Sequence, residues 1–150
     1  MAAHPARALL LGALFSLAIV ASANTQPAPP DDKIAIAFAD RISRDIAAGE
    51  VDGAIAKVAD AIKTSPQSIQ ILEANAQTLK TLGKSHYVER VYARDFGRTT
   101  KDLIDKIQFD RTPLYVRYIF TVYKDEWRLQ RFNFETAITT LPSDWGHIYP

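Results

Sequence analysis

The sequence predicts an α+β domain, with N-terminal helices packed on a curved four-stranded antiparallel β-sheet. Three stretches between residues 33 and 82 repeat apolar residues at helical spacing. Four stretches between residues 86 and 136 are rich in β-branched and aromatic residues and are joined by short polar turns. The last of these breaks its own alternation, and a break of that kind bends a strand.

Composition narrows the function classes before any motif is read. A chain of 150 residues is the size of one domain. A formal net charge of +1 does not suit a strongly basic nucleic-acid binder. The absence of cysteine excludes disulfides, thiol nucleophiles, iron–sulfur clusters and cysteine-based zinc sites. A hydrophobic content of 47% is that of a folded protein.

The N-terminus reads as an address. A short start carrying Arg7 leads into the apolar run Leu9–Ala21, broken only by Gly12 and Ser16. Ala21, Ser22 and Ala23 then place small residues at a cleavage site. This is the layout of a secretory signal peptide over residues 1–23, and the run is too short to span a bilayer comfortably. Cleavage after Ala23 implies a periplasmic or secreted protein with no membrane span. It removes one base and no acid, so the mature formal charge becomes zero. Residues 24–32 are polar and proline-rich, an extended leader. The folded domain is expected over residues 33–140.

In the first helix, from Lys33 to Ala48, Ile34, Phe38, Ile42 and Ile46 recur every fourth residue over an arc of about 120°. Ala35 and Ala39 fill in. Asp31 or Asp32 suits the start, and Gly49 the end. The second helix, from about Glu50 to Lys63, gathers Val51, Ile55, Val58, Ala59 and Ile62 on one face. The third opens on Ser65 and Pro66, a cap followed by a first-turn proline, and is expected to run to Leu82. Its apolar arc holds Ile69, Ile71, Leu72, Ala76, Leu79 and Leu82.

The strands follow at His86–Phe96, Thr100–Phe109, Leu114–Tyr123 and Trp127–Thr136. In the third, Leu114, Val116, Tyr118, Phe120 and Val122 suit a core. Tyr115, Arg117, Ile119, Thr121 and Tyr123 form the opposite face. In the fourth, Trp127 and Leu129 share one parity and Phe132 and Phe134 the other. A β-bulge near Gln130–Arg131 brings all four rings and chains to one side and bends the strand. A bent sheet leaves a hollow against its helices, the kind of place where ligand pockets form.

The order of helices and meander, with PLYVRYIFTVY followed by EWRLQRFNFET, resembles the nuclear transport factor 2-like superfamily, and its small secreted bacterial members in particular. Their last hairpin often ends in a pattern matched here by Trp127, Arg128, Leu129, Phe132 and Phe134. The resemblance covers about residues 33–136 and is strongest over 113–136. It implies a cone-like α+β fold with a pocket. It carries no catalytic residue, because the motif marks the bulged strand and the fold hosts many functions. In the isomerase-type branch, Asp and Tyr work in an apolar cavity. Asp45, Tyr92 and Tyr118 are of those types, and none lies in a matching motif.

Three residues are ligand-binding candidates. Asp45 sits at the edge of the first helix's apolar arc, where burial would raise its pKa and make it a general base; otherwise it is a boundary ion pair with Arg41. Asn75 falls within the third helix's arc, where it would orient a ligand or bond to protein backbone. Tyr118 points to the core. Tyr115, Arg117, Ile119 and Tyr123 are interface candidates, since Tyr and Arg are enriched at binding hot spots. Arg90 and Arg94 are candidates for the same outer face, their strand's parity being open. His86 and His147, the histidines outside residues 1–23, have no acids at metal-ligand spacing, so no metal or other cofactor is expected. The tail at residues 141–150, with Trp145, Ile148 and Tyr149, is expected to fold back over an apolar patch.

The resulting expectation is an exported, non-catalytic binding or accessory protein, with no catalytic residue assigned. It uses the hollow for a small apolar ligand or the outer sheet face for a partner, a homodimer included. Nucleic acid is not expected. The alternative is an isomerase- or hydrolase-type enzyme with a buried carboxylate base.

Overall fold

The computed structural model describes residues 30–63 and 65–137. Residues 1–23, expected to be a signal peptide, residues 24–29 of the expected leader and the tail at 141–150 lie outside the described residues. The elements run α1 (Lys33–Ala47), α2 (Val51–Ile62), α3 (Pro66–Ala76), a 3-10 turn (Gln77–Thr81), β1 (Ser85–Phe96), β2 (Thr100–Phe109), β3 (Pro113–Tyr123) and β4 (Glu126–Glu135). The strands form an open antiparallel sheet in the order β1-β2-β3-β4, and the helices pack on one of its faces. The fold is α+β, as the sequence predicts.

The helices depart from expectation in three places. The face that α1 buries is Ala35, Ala39, Ile42, Ser43 and Ile46, rotated from the anticipated arc, and Ile34 is 63% exposed. The two alanines explain the rotation, because their small side chains bring α1 close to the sheet and leave the bulkier Phe38 at the flank, edge-on to Phe120 at 6.0 Å. Ile71 is exposed as well. The third departure is in α3. The Ser65 side chain accepts from the Ser68 N–H and Pro66 follows it, but the α-helix stops at Ala76 and winds on as a 3-10 turn. Thr78 and Thr81 donate their hydroxyls to the carbonyls of Asn75 and Thr78, three residues back. A three-residue repeat stacks Ala76, Leu79 and Leu82 on one side, facing the core.

The hairpin between β3 and β4 is as tight as its sequence suggests. Lys124 and Asp125 both have positive φ, 51° and 60°, and Tyr123 pairs with Glu126. That is the left-handed two-residue turn whose twist matches the flanking strands.

The irregularity in β4 falls where the alternation breaks. Ile119 pairs with Arg131 and Phe120 with Leu129, so Gln130 is the extra residue. Leu129 and Phe132 are buried, and Trp127 and Phe134 pack against the same core. A second bulge in β1 separates Arg90, opposite Asp105, from Tyr92, opposite Ile104. Residues on either side of Val91 therefore reach the same face with opposite parity. Arg94 lies on the outer face, and Arg90 turns inward beneath α1, which corrects its assignment to the outer face.

Deleting Gln130 should restore strict alternation and turn one apolar pair of β4 to water. The expected loss is about 4 kcal/mol or more, from two large apolar side chains leaving the core. Gln130→Ala keeps the extra residue and should unfold within about 0.5 kcal/mol of the parent. Chemical denaturation of the two variants checks this.

Candidate functional site

The helix-side interior holds a closed polar cluster. Ser43 of α1 is fully buried and donates to Asp105 Oδ2 at 2.7 Å. Its oxygen lies 2.8 Å from the hydroxyl of fully buried Tyr118, which makes Tyr118 the donor to Ser43. Arg90 reaches both oxygens of Asp105, through Nε at 2.8 Å and Nη2 at 3.1 Å, and donates from Nη2 to Asp40 Oδ1 at 2.7 Å. Asp105 is only 2% exposed. Burial pushes the Tyr118 phenol well above its ordinary value of 10.0, with the Ser43 hydrogen bond opposing the shift. Burial alone would lower the Arg90 pKa, but its bonds and charges with Asp105 and Asp40 outweigh that and hold it above the usual value. Among the described residues no buried side-chain nitrogen or oxygen lacks a partner.

The open space lies elsewhere. A groove of about 540 Å³ runs between α3 with its 3-10 turn and the end of β4. Leu72, Leu79, Leu82, Phe132 and Phe134 supply its apolar side, and Asn75, Asn133 and the exposed Glu135 are among its polar lining. The bulge at Gln130 and the 3-10 winding together aim these side chains into it.

The outer face of the sheet carries a second centre. Asp102 is 2% exposed, and Arg117 grips it through Nε at 2.9 Å and through Nη2. Ile104 is fully buried there, and Val91, Tyr92 and Tyr115 pack around it.

The sequence candidates are dispersed among these places. Asn75 lines the groove but is exposed, not embedded in a helix arc. Asp45 bonds Lys57 of α2 at 2.7 Å, so its partner is not Arg41, and it is not part of the groove wall. Tyr118 belongs to the closed cluster. Tyr115, Arg117, Ile119 and Tyr123 share the outer face, with Tyr123 the most exposed. Ser43, Asp102 and Asp105 were not anticipated. The signal for Asp105 was available: it stands between Leu103 and Ile107 in a period-two apolar row, where an acid needs a partner.

The chain matches no protein-family model, no curated protein and no solved structure. Among the described residues no His, Asp or Glu side chains are grouped so as to hold a metal ion, and no helix is long and apolar enough to cross a membrane.

Tyr118→Phe should cost about 1 kcal/mol, since Ser43 keeps its bond to Asp105 while losing one from the phenol. A neutral phenol favoured by the fold stabilises below the unfolded-state pKa and loses that effect as pH rises above it. In an absorbance titration, Tyr118→Phe should therefore abolish the last tyrosine to ionise in the native protein. An unchanged final step would contradict the closed cluster.

Proposed function

We propose that this protein is an exported, non-catalytic binding module, a distant nuclear transport factor 2-like cone, whose ligand site is the groove between α3 and β4. The observation that carries the reading is the disposition of the buried acids. Asp102 and Asp105 are each gripped by an arginine, and Asp105 also by Ser43. A general base at neutral pH needs a carboxylate desolvated in its pocket. The groove's carboxylate, Glu135, is exposed to water, and the Leu and Phe side chains beside Asn75 suit retention of a small amphipathic molecule. The isomerase or hydrolase alternative draws no support from this arrangement.

A second reading places a protein partner on the outer face. It is favoured by the Tyr115, Tyr92 and Ile104 cluster beside the Asp102–Arg117 pair, since a preordered guanidinium among aromatic rings is the composition of an interface hot spot.

The groove is tested with the fluorescent probe 8-anilinonaphthalene-1-sulfonate. The parent should bind it saturably, and Asn75→Trp or Leu82→Trp, which fill the groove, should weaken binding by about tenfold or more. Equal binding by the parent and both variants, or no binding by the parent, would overturn the assignment.

A further inference from the structure

The edge strand β1 is built to pair with itself. It is 12 residues long, and among the described residues it has a strand neighbour on one side only, in the sheet order β1-β2-β3-β4. An unpaired ladder of that length is an invitation to another strand. Two of its outer-face aromatics, Tyr87 and Phe96, are 46% and 44% exposed.

The bulge decides which pairing is allowed. A two-fold axis perpendicular to the sheet pairs β1 with an antiparallel copy and keeps outer face beside outer face. In an unbroken strand that requires residues of equal parity to meet. Here the bulge at Val91 reverses parity. Tyr87 and Glu89 before it face outward with Tyr92, Arg94 and Phe96 after it, while Val88 and Arg90 face inward with Ala93 and Asp95. Val91 itself packs with Tyr92 on the outer cluster around Ile104. An axis between Val91 and Tyr92 therefore sets every residue against one from its own face. Sliding by a single pair puts Arg90 against Val91, inner against outer.

In that register the chemistry is complementary. Glu89 meets Arg94 of the second copy, and Tyr87 meets Phe96, each contact occurring twice by symmetry. Arg94 already lies over the Phe96 ring at 4.4 Å, so the guanidinium and the ring arrive together. Edge strands that merely resist pairing carry charges that repel a copy of themselves. This one carries charges that match it.

We propose that β1 is a homodimer interface, a second copy of this chain adding antiparallel about Val91 and Tyr92 to make one eight-stranded sheet. The pairing is independent of the groove. It leaves both grooves open on the helix side and joins the two outer faces into one surface.

The test uses the absence of native cysteine, which gives each single-cysteine variant one thiol. Glu89→Cys mixed with Arg94→Cys should form a disulfide-linked dimer under mild oxidation, while Arg94→Cys mixed with Phe96→Cys should not. In sedimentation, Glu89→Arg or Arg94→Glu alone should raise the dimer dissociation constant by about tenfold or more, and the double reversal should restore it. Thermal melting of each variant separates loss of pairing from loss of fold. A monomeric parent, or cross-linking indifferent to register, would overturn the interface and leave the groove assignment standing.

Discussion

A carboxylate removed from water must be held, and Asp105 is the group in this domain that most needs holding. It sits on the central part of β2 beneath α1, where an unpaired charge would cost several kcal/mol. Arg90 reaches it from β1, Ser43 from α1, and Tyr118 from β3 through Ser43. One acid thereby fixes the register of three strands against a helix. Apolar burial alone would tolerate a rotation of α1; this hydrogen-bonded set does not, because turning Ser43 away removes a bond from Asp105 and takes from the buried Tyr118 hydroxyl its Ser43 acceptor. The bulge at Val91 belongs to the same arrangement, since it lets Arg90 face inward while Tyr92 faces out.

Filling the interior with a satisfied polar cluster moves binding capacity to the rim. The groove lies where α3 winds into a 3-10 turn opposite the end of β4, whose Phe132 and Phe134 the bulge at Gln130 has turned to the helix side. The outer face owes its own small core to large side chains of β1 and β3 leaning over Ile104. The groove lies on the helix side, away from β1, so pairing of the edge strand leaves it open, whereas the outer-face cluster shares Val91 and Tyr92 with that strand.

Much of this architecture could be read from the chain. The four strands, the Ser65–Pro66 helix start and the displaced residue in β4 follow from periodicity, because local spacing dictates which side chains share a face. What could not be read is set by distance in space. The rotation of α1 depends on how close two alanines let it come to the sheet. The parity of β1 depends on a bulge within residues 87–94, YVERVYAR, a mixture of charges and aromatics that breaks no visible alternation. Of the candidate residues, Asn75 reached the groove because its helix face was roughly right. Tyr118 is buried in the core as its parity predicts, but its partner Ser43 lies 75 residues away, Arg90 and Asp105 are 15 residues apart, and no local pattern links these groups.

The measurement that bears most directly on this account is a double-mutant cycle across the buried pair. Arg90→Met alone leaves Asp105 without its cation and should destabilise the domain by about 3 kcal/mol or more. Arg90→Met with Asp105→Leu replaces the pair by apolar volume and should recover most of that loss. If Arg90→Met costs less than about 1 kcal/mol, or if the double variant loses the sum of the two single effects, Asp105 is not the constraint around which the helix and sheet are arranged.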